Sequence, residues 1–144
     1  MKPLDRSSLL NHSHSQRGQS LVEFALVLTL LLVLAAGAVD LGRVFHSTII
    51  ITNASREGAR YLTRNPNDAA STPRFSGTKN AAIQEANGPL ITITQADVTV
   101  LPDVATLDPG ANISVTVQYS FRPVMTFILP DPIIIRRTTQ MMIP

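Results

Sequence analysis

The chain has 144 residues, no cysteine and a formal charge of +2, and this length suits one modest domain. Its charges are unevenly placed: Lys2, Arg6 and Arg17 outnumber Asp5 in the first 18 residues, and nine basic and nine acidic residues follow. The body therefore has no basic excess, and we expect no nucleic-acid partner. Without cysteine there are no disulfides or thiolate sites, so stability must come from packing, the membrane or assembly with neighbours.

Residues 21–39 are predicted to form a transmembrane helix. They contain one charged residue, Glu23, and as a helix they would span about 28 Å, close to the ~30 Å of a bilayer core. Two alternatives compete. A buried core helix would normally have a polar face, and a signal peptide would have a cleavage site that the small residues 35–38 could imitate. The basic residues before the helix place the N-terminus in the cytoplasm by the positive-inside rule.

These observations predict a single-pass protein of the cell membrane with its C-terminal part outside the cytoplasm. The expected order is a cytoplasmic basic leader at 1–18, a transmembrane helix at 19–40, an extension of that helix outside the membrane at 41–65, and an extracytoplasmic α+β domain at 66–144.

Glu23 is informative because it is the only charge in the apolar stretch. The simpler explanation is that Glu23 lies at the membrane interface and that its side chain extends to the headgroup region. The alternative starts from Gly18, which precedes Glu23 by five residues. A cut between Gly18 and Gln19 would make Glu23 the fifth residue of the shortened chain. Its carboxylate could then pair with the terminal amine of a neighbouring helix, which would compensate both charges and fix the axial register between subunits.

Four ordered motifs in residues 17–65 carry a resemblance to a known family. They are Arg17-Gly18-Gln19, Val22-Glu23-Phe24-Ala25, Asp40-Leu41-Gly42-Arg43 and Asn53-Ala54-Ser55-Arg56-Glu57-Gly58-Ala59-Arg60-Tyr61. This segment resembles the TadE-like family of pilus-assembly pseudopilins of tight-adherence pili. The resemblance implies cleavage by a prepilin peptidase between Gly18 and Gln19, and it makes Glu23 the acid at position five. It also implies that the partners are other pilin or pseudopilin subunits and the assembly machinery, and that the protein could enter a surface pilus.

The helical pattern continues past the membrane. Apolar and small residues recur at steps of three and four up to Leu62, and Asn65-Pro66 is predicted to end a helix that runs from about residue 20. Arg56, Glu57 and Arg60 form a charged face, for which a solvated surface and a partner contact are equally good explanations. Two pairs of small residues could let other helices approach closely, although such pairs are common in any helix. These pairs are Ala38/Gly42 and Ala54/Gly58.

The remaining residues predict a small mixed domain. Residues 66–78 suggest a loop, and residues 79–87 a short helix that ends at Gly88-Pro89. Alternating apolar and polar residues predict strands at 98–101, 113–121 and 133 to about 142, with a turn at 108–110. The apolar residues between Pro123 and Pro132 suggest a short helix or a membrane-facing loop. The expected fold is α+β, a pilin-like long helix packed on an antiparallel sheet of three or four strands.

No catalytic site or cofactor is predicted. His12 and His14 have no third ligand nearby, so a metal site is not expected. His46 is the only other histidine, and no Ser-His pair can form in the outer domain. We therefore expect a structural or assembly protein that is not an enzyme. The alternatives are a membrane-anchored binding module unrelated to pili and, less well supported, a membrane enzyme.

Overall fold

The chain is described by a computed structural model over residues 13–126 and 129–144, with side chains from Gly18 onward. The helices are α1 (Ser13–Arg64) and α2 (Ser76–Ala86), and the strands are β1 (Val98–Leu101), β2 (Asn112–Phe121) and β3 (Ile133–Met142). Two 3₁₀ turns, Pro66–Ala70 and Gln95–Asp97, precede α2 and β1. This is the expected α+β arrangement, a long N-terminal helix packed on a three-stranded antiparallel sheet. The chain divides into two compact units between Val39 and Asp40.

In the first unit, α1 exposes apolar side chains all around its axis. The large apolar residues from Leu21 to Leu34 are between 37% and 69% exposed. Thr29 donates its hydroxyl to the carbonyl oxygen of Ala25 at 2.8 Å, so this polar group is satisfied within the helix. Among the residues that the structure describes, one helix, Gly18–Arg64, is long and apolar enough to cross a membrane.

In the second unit, the outer part of α1 packs on one face of the sheet. β2 is the central strand, antiparallel to β1 and β3, and its residues Ile113, Val115 and Val117 point into the core. They meet Ile51, Ala54 and Leu62 of α1 in one apolar cluster. Ser55 of α1 and Thr139 of β3 share a hydrogen bond of 2.8 Å between their hydroxyls. The alternation of β2 therefore predicted the buried face correctly.

Local sequence signals set most of the element ends. α1 ends at Arg64, one residue before Asn65-Pro66, as predicted. All three predicted strands are present, and β2 begins one residue earlier than expected. Residues 108–111 form the predicted turn, in which the Ala111 N–H donates to the Asp108 carbonyl oxygen at 3.0 Å. Gly110 takes a φ of 84°, which a glycine adopts without strain.

The segment before α2 differs from the sequence prediction. Residues 66–70 form a 3₁₀ turn rather than a loop, and α2 begins at Ser76 rather than Lys79. The cause is the Asp68 carboxylate, which accepts hydrogen bonds from the N–H groups of Gly77 at 3.0 Å and Thr78 at 2.7 Å. The Thr78 hydroxyl also donates to it at 2.7 Å. Asp68 thus caps a helix that starts eight residues later in the chain.

These hydrogen bonds also change the titration of Asp68. Its partial burial raises the pKa of the carboxyl group, because burial disfavours the charged form. The hydrogen bonds from Thr78 and Gly77 favour the charged form and together outweigh burial. The pKa of Asp68 therefore lies below its ordinary value of 3.8.

Candidate functional site on the long helix

The predicted cleavage site lies at the start of the described side chains. Gly18 and Gln19 are exposed, and apart from adjoining residues of α1 no described atom lies within 4 Å of the place where a Cβ of Gly18 would stand. The side chains of the leader, including those of His12, His14 and Arg17, lie outside the described residues. The bond between Gly18 and Gln19 is therefore not covered by any described part of the chain.

Glu23 is exposed on α1 among large apolar side chains. Its neighbours Val22 and Phe24 are 61% and 63% exposed. Within the described part of the chain, the ion pairs join other residues, and none includes Glu23. A carboxylate on an apolar helix surface is costly in lipid unless a partner compensates its charge. The structure thus leaves Glu23 available to a group outside the described chain.

Asp40 has a structural role that the sequence analysis, which quoted it only as part of a family motif, did not predict. Its side chain is 2% exposed, and its carboxylate accepts hydrogen bonds from the backbone N–H of Val124, at 2.9 Å to each oxygen, and of Met125 at 3.0 Å. Arg43 donates to the same carboxylate at 3.2 Å, and its guanidinium lies 5.0 Å from the centre of the Phe121 ring. Asp40 and Arg43 therefore attach α1 to the end of β2 and to the segment that follows it.

The two pairs of small residues on α1 have different surroundings. Ala54 is fully buried inside the second unit. A Cβ on Gly58 would lie 3.2 Å from Val115 Cγ1 and 3.3 Å from Ala82 Cβ. The lack of a side chain at Gly58 therefore lets β2 and α2 of the same chain pack closely against α1. Ala38 and Gly42 are exposed, and apart from adjoining residues of α1 no described atom lies within 4 Å of a Cβ placed on Gly42.

The predicted charged face is on the surface of the second unit. Arg56 is exposed, and Arg60 and Glu57 form a long ion pair of 3.8 Å, in which the side chains are 59% and 41% exposed. Glu57 also borders an open cleft of about 530 Å³ between α1 and α2. The cleft is lined by Glu57, Tyr61, Gly77, Asn80, Ala81, Gln84 and Glu85. An exposed pair of this kind contributes little to stability, so the face can contact a partner without loss to the fold.

Comparison with known protein families gives a match to part of the chain. A family model described as "TadE-like protein" matches residues 18–60. No curated protein and no solved structure matched the chain. The resemblance predicted from the motifs is thereby confirmed over residues 18–60. This matched segment begins at Gly18, includes Glu23 and the Asp40–Arg43 pair, and ends at Arg60.

Proposed function

Proceeding from the match of residues 18–60 to the TadE-like family, we propose that the protein is a pseudopilin-like subunit that acts in the assembly of a tight-adherence pilus. The family implies a role related to pilus assembly, and α1 is a candidate membrane anchor. One observation carries the more specific proposal. The only charge in the exposed apolar stretch, Glu23, lies five residues after Gly18, where the family segment begins.

The proposed topology follows from the charges at the N-terminus. The basic leader, residues 1–18, stays in the cytoplasm, and the apolar stretch crosses the membrane. The helix extension at 41–65 and the domain at 66–144 lie outside. A prepilin peptidase then removes the leader between Gly18 and Gln19.

The proposed mechanism of assembly depends on charge compensation. Cleavage creates an α-amino group on Gln19 at the head of an apolar helix. Glu23 of one subunit pairs with the amine of its neighbour, and this pairing removes the cost of two separate charges in lipid. A single charge at the centre of a membrane helix costs about 2.5–3.5 kcal/mol on insertion scales. Because the pair forms only at one axial offset, it also sets the register between subunits.

The experiment that tests this function is Glu23→Ala in the native host, with Glu85→Ala as a matched control. Glu85 is an exposed acid outside the segment that matches the family. Both variants should enter the membrane fraction, and both should begin at Gln19 when the mature N-terminus is measured by mass spectrometry. Glu23→Ala alone should lose crosslinks to pilus components.

Two outcomes would contradict the proposal. Normal crosslinking and piliation in Glu23→Ala would show that the carboxylate has no role in assembly, and Glu23 would then be explained as an interfacial acid. A native N-terminus at Met1 in the parent protein would indicate a plain membrane anchor for an extracytoplasmic binding module.

A further inference from the structure

The segment that follows β2 is bound to the first residue beyond the apolar stretch of α1. The N–H groups of Val124 and Met125 donate to the Asp40 carboxylate at 2.9–3.0 Å, and all of these residues belong to the second unit. Asp40 directly follows Val39, the last residue of the apolar stretch. Val124 and Met125 are therefore hydrogen-bonded to the residue that comes next in the chain after the apolar stretch.

The bilayer dimensions give the depth at which Asp40 and the groups bound to it lie in the membrane. If residues 21–39 fill the ~30 Å hydrocarbon core, the next residue enters a headgroup layer that is about 5–7 Å thick on each side. One helical residue advances about 1.5 Å along the axis, so Asp40 lies within that layer. Groups that are hydrogen-bonded to the Asp40 carboxylate are then at the same depth, to within a side-chain length.

The exposed side chains of this segment suit a lipid surface. Pro123 and Met125 are buried, whereas Arg122, Val124 and Thr126 are exposed, and Val124 keeps 63% of its surface. Basic and apolar side chains on one segment are typical of contacts with the membrane interface, where the cation meets phosphate and the apolar group meets the upper acyl chains. The acid that is hydrogen-bonded to this segment, Asp40, is buried and already compensated by Arg43, so it does not repel lipid phosphates.

We propose that residues 122–126 form a second membrane contact, which lies in the phospholipid headgroup layer of the outer surface. Arg122 binds lipid phosphate, and Val124 inserts among the upper acyl chains. Asp40 holds the segment at this depth. The inference rests on the proposed function, because it takes residues 21–39 to span the bilayer.

The absence of cysteine allows a direct test by site-specific labelling of the full-length protein. Single cysteines replace Val124, Leu101 and Leu30, which are all more than half exposed. Leu101 of β1 pairs with Ser114 of β2. The next residue of β2, Val115, lies against Gly58 of α1. Gly58 is 18 residues beyond Asp40, about 27 Å along α1, so Leu101 is the distant control. Each variant carries a bimane label and is reconstituted into vesicles of phosphatidylcholine and phosphatidylglycerol.

Nitroxide lipids then report the depth of each label. A nitroxide on the headgroup should remove at least about half of the Val124→Cys fluorescence and little of the Leu101→Cys fluorescence, since only the former lies in the headgroup layer. Equal quenching at the two sites would overturn the inference while leaving the proposed function intact. A nitroxide deep in the acyl chain should quench Leu30→Cys. Failure of that quenching would instead overturn the membrane anchor on which the proposed function depends.

A second comparison tests the role of Arg122. Arg122→Gln should weaken headgroup quenching of the Val124→Cys label, whereas Arg136→Gln, an exposed arginine of β3, should not change it. Unchanged quenching in Arg122→Gln would overturn phosphate binding by this side chain.

Discussion

Replacement of Gly58 by leucine should destabilise the outer domain, because this glycine lies where α1, α2 and β2 meet. A Cβ at this position would stand 3.2 Å from Val115 Cγ1, 3.3 Å from Ala82 Cβ and 3.4 Å from the Thr78 carbonyl oxygen. All three contacts come from fully buried residues on regular elements, so none can move outward into solvent. The further carbon atoms of a leucine have no space between these neighbours.

The expected loss follows from two opposing effects. Overpacking a filled core costs about 1–3 kcal/mol, and leucine in place of glycine belongs at the upper end of that range. Leucine is also a better helix former than glycine, by about 0.8 kcal/mol. The net loss in the free energy of unfolding is therefore about 2 kcal/mol. For a urea dependence of about 1–2 kcal/mol per molar, the midpoint should fall by about 1–2 M.

The chain offers a selective assay and a matched control for this prediction. It has no tryptophan, and its two tyrosines, Tyr61 and Tyr119, both lie in the second unit. Tyrosine fluorescence during urea titration of the full-length protein in mild detergent therefore reports on the outer domain alone. Gly42→Leu is the control, because no described atom lies near its Cβ position, and its midpoint should not fall. An unchanged midpoint in Gly58→Leu, or an equal loss in Gly42→Leu, would refute the reasoning.

Two other residues give separate predictions. Gly18→Ala, or a bulkier replacement, should leave residues 1–18 attached, because the proposed peptidase must accommodate a small residue at the scissile bond. A Gly18 variant shortened as fully as the parent on a gel would contradict this. Asp68→Asn should cost about 1 kcal/mol at pH 6, because the amide keeps only one acceptor oxygen for the Gly77 and Thr78 donors, and one lost hydrogen bond is typically worth about that much. The pKa of Asp68 is lowered in the folded protein, so its contribution is present above the unfolded value of 3.8 and is lost as the pH falls through the folded value. Urea midpoints of parent and variant should therefore converge below pH 3.8, and a constant difference would show that the charge is not responsible.

The features that were predictable from the sequence depend on neighbouring residues. Asn65-Pro66 ends α1 because proline restricts the residue before it, and no distant contact is needed. The buried face of β2 follows from strict alternation between Ile113 and Phe121, since one face of the sheet must meet the core. The resemblance to the TadE-like family was likewise carried by motifs that are contiguous in the chain.

The features that were missed depend on contacts between distant residues. The start of α2 could not be found because its cap is supplied by Asp68, before the helix, and no capping residue stands at the helix start itself. Asp40 gave no local sign of its role, since the amide groups that it binds are 84 and 85 residues away. In the sequence, Asp40 was visible as the residue after an apolar stretch and as the start of the Asp40-Leu41-Gly42-Arg43 motif, and neither shows what its carboxylate binds. A sequence pattern can show that a carboxylate is present at such a boundary, but the fold decides what it binds.

The two small-residue pairs on α1 differ in their surroundings: one is packed inside the fold of its own chain, and the other is open to a neighbouring subunit. A helix face that its own chain fills cannot also receive a neighbouring helix, and β2 and α2 already fill the space beside Gly58. Ala38 is exposed, Gly42 has no such occupant, and Leu41 and Phe45 beside them are 57% and 62% exposed. Contacts between subunits are therefore expected at Ala38/Gly42 and not at Ala54/Gly58. Gly42→Leu should keep the urea midpoint of the parent yet weaken crosslinking to pilus components, because a large side chain prevents close approach of helices. Crosslinking at the parental level in that variant would exclude this face of α1 from assembly.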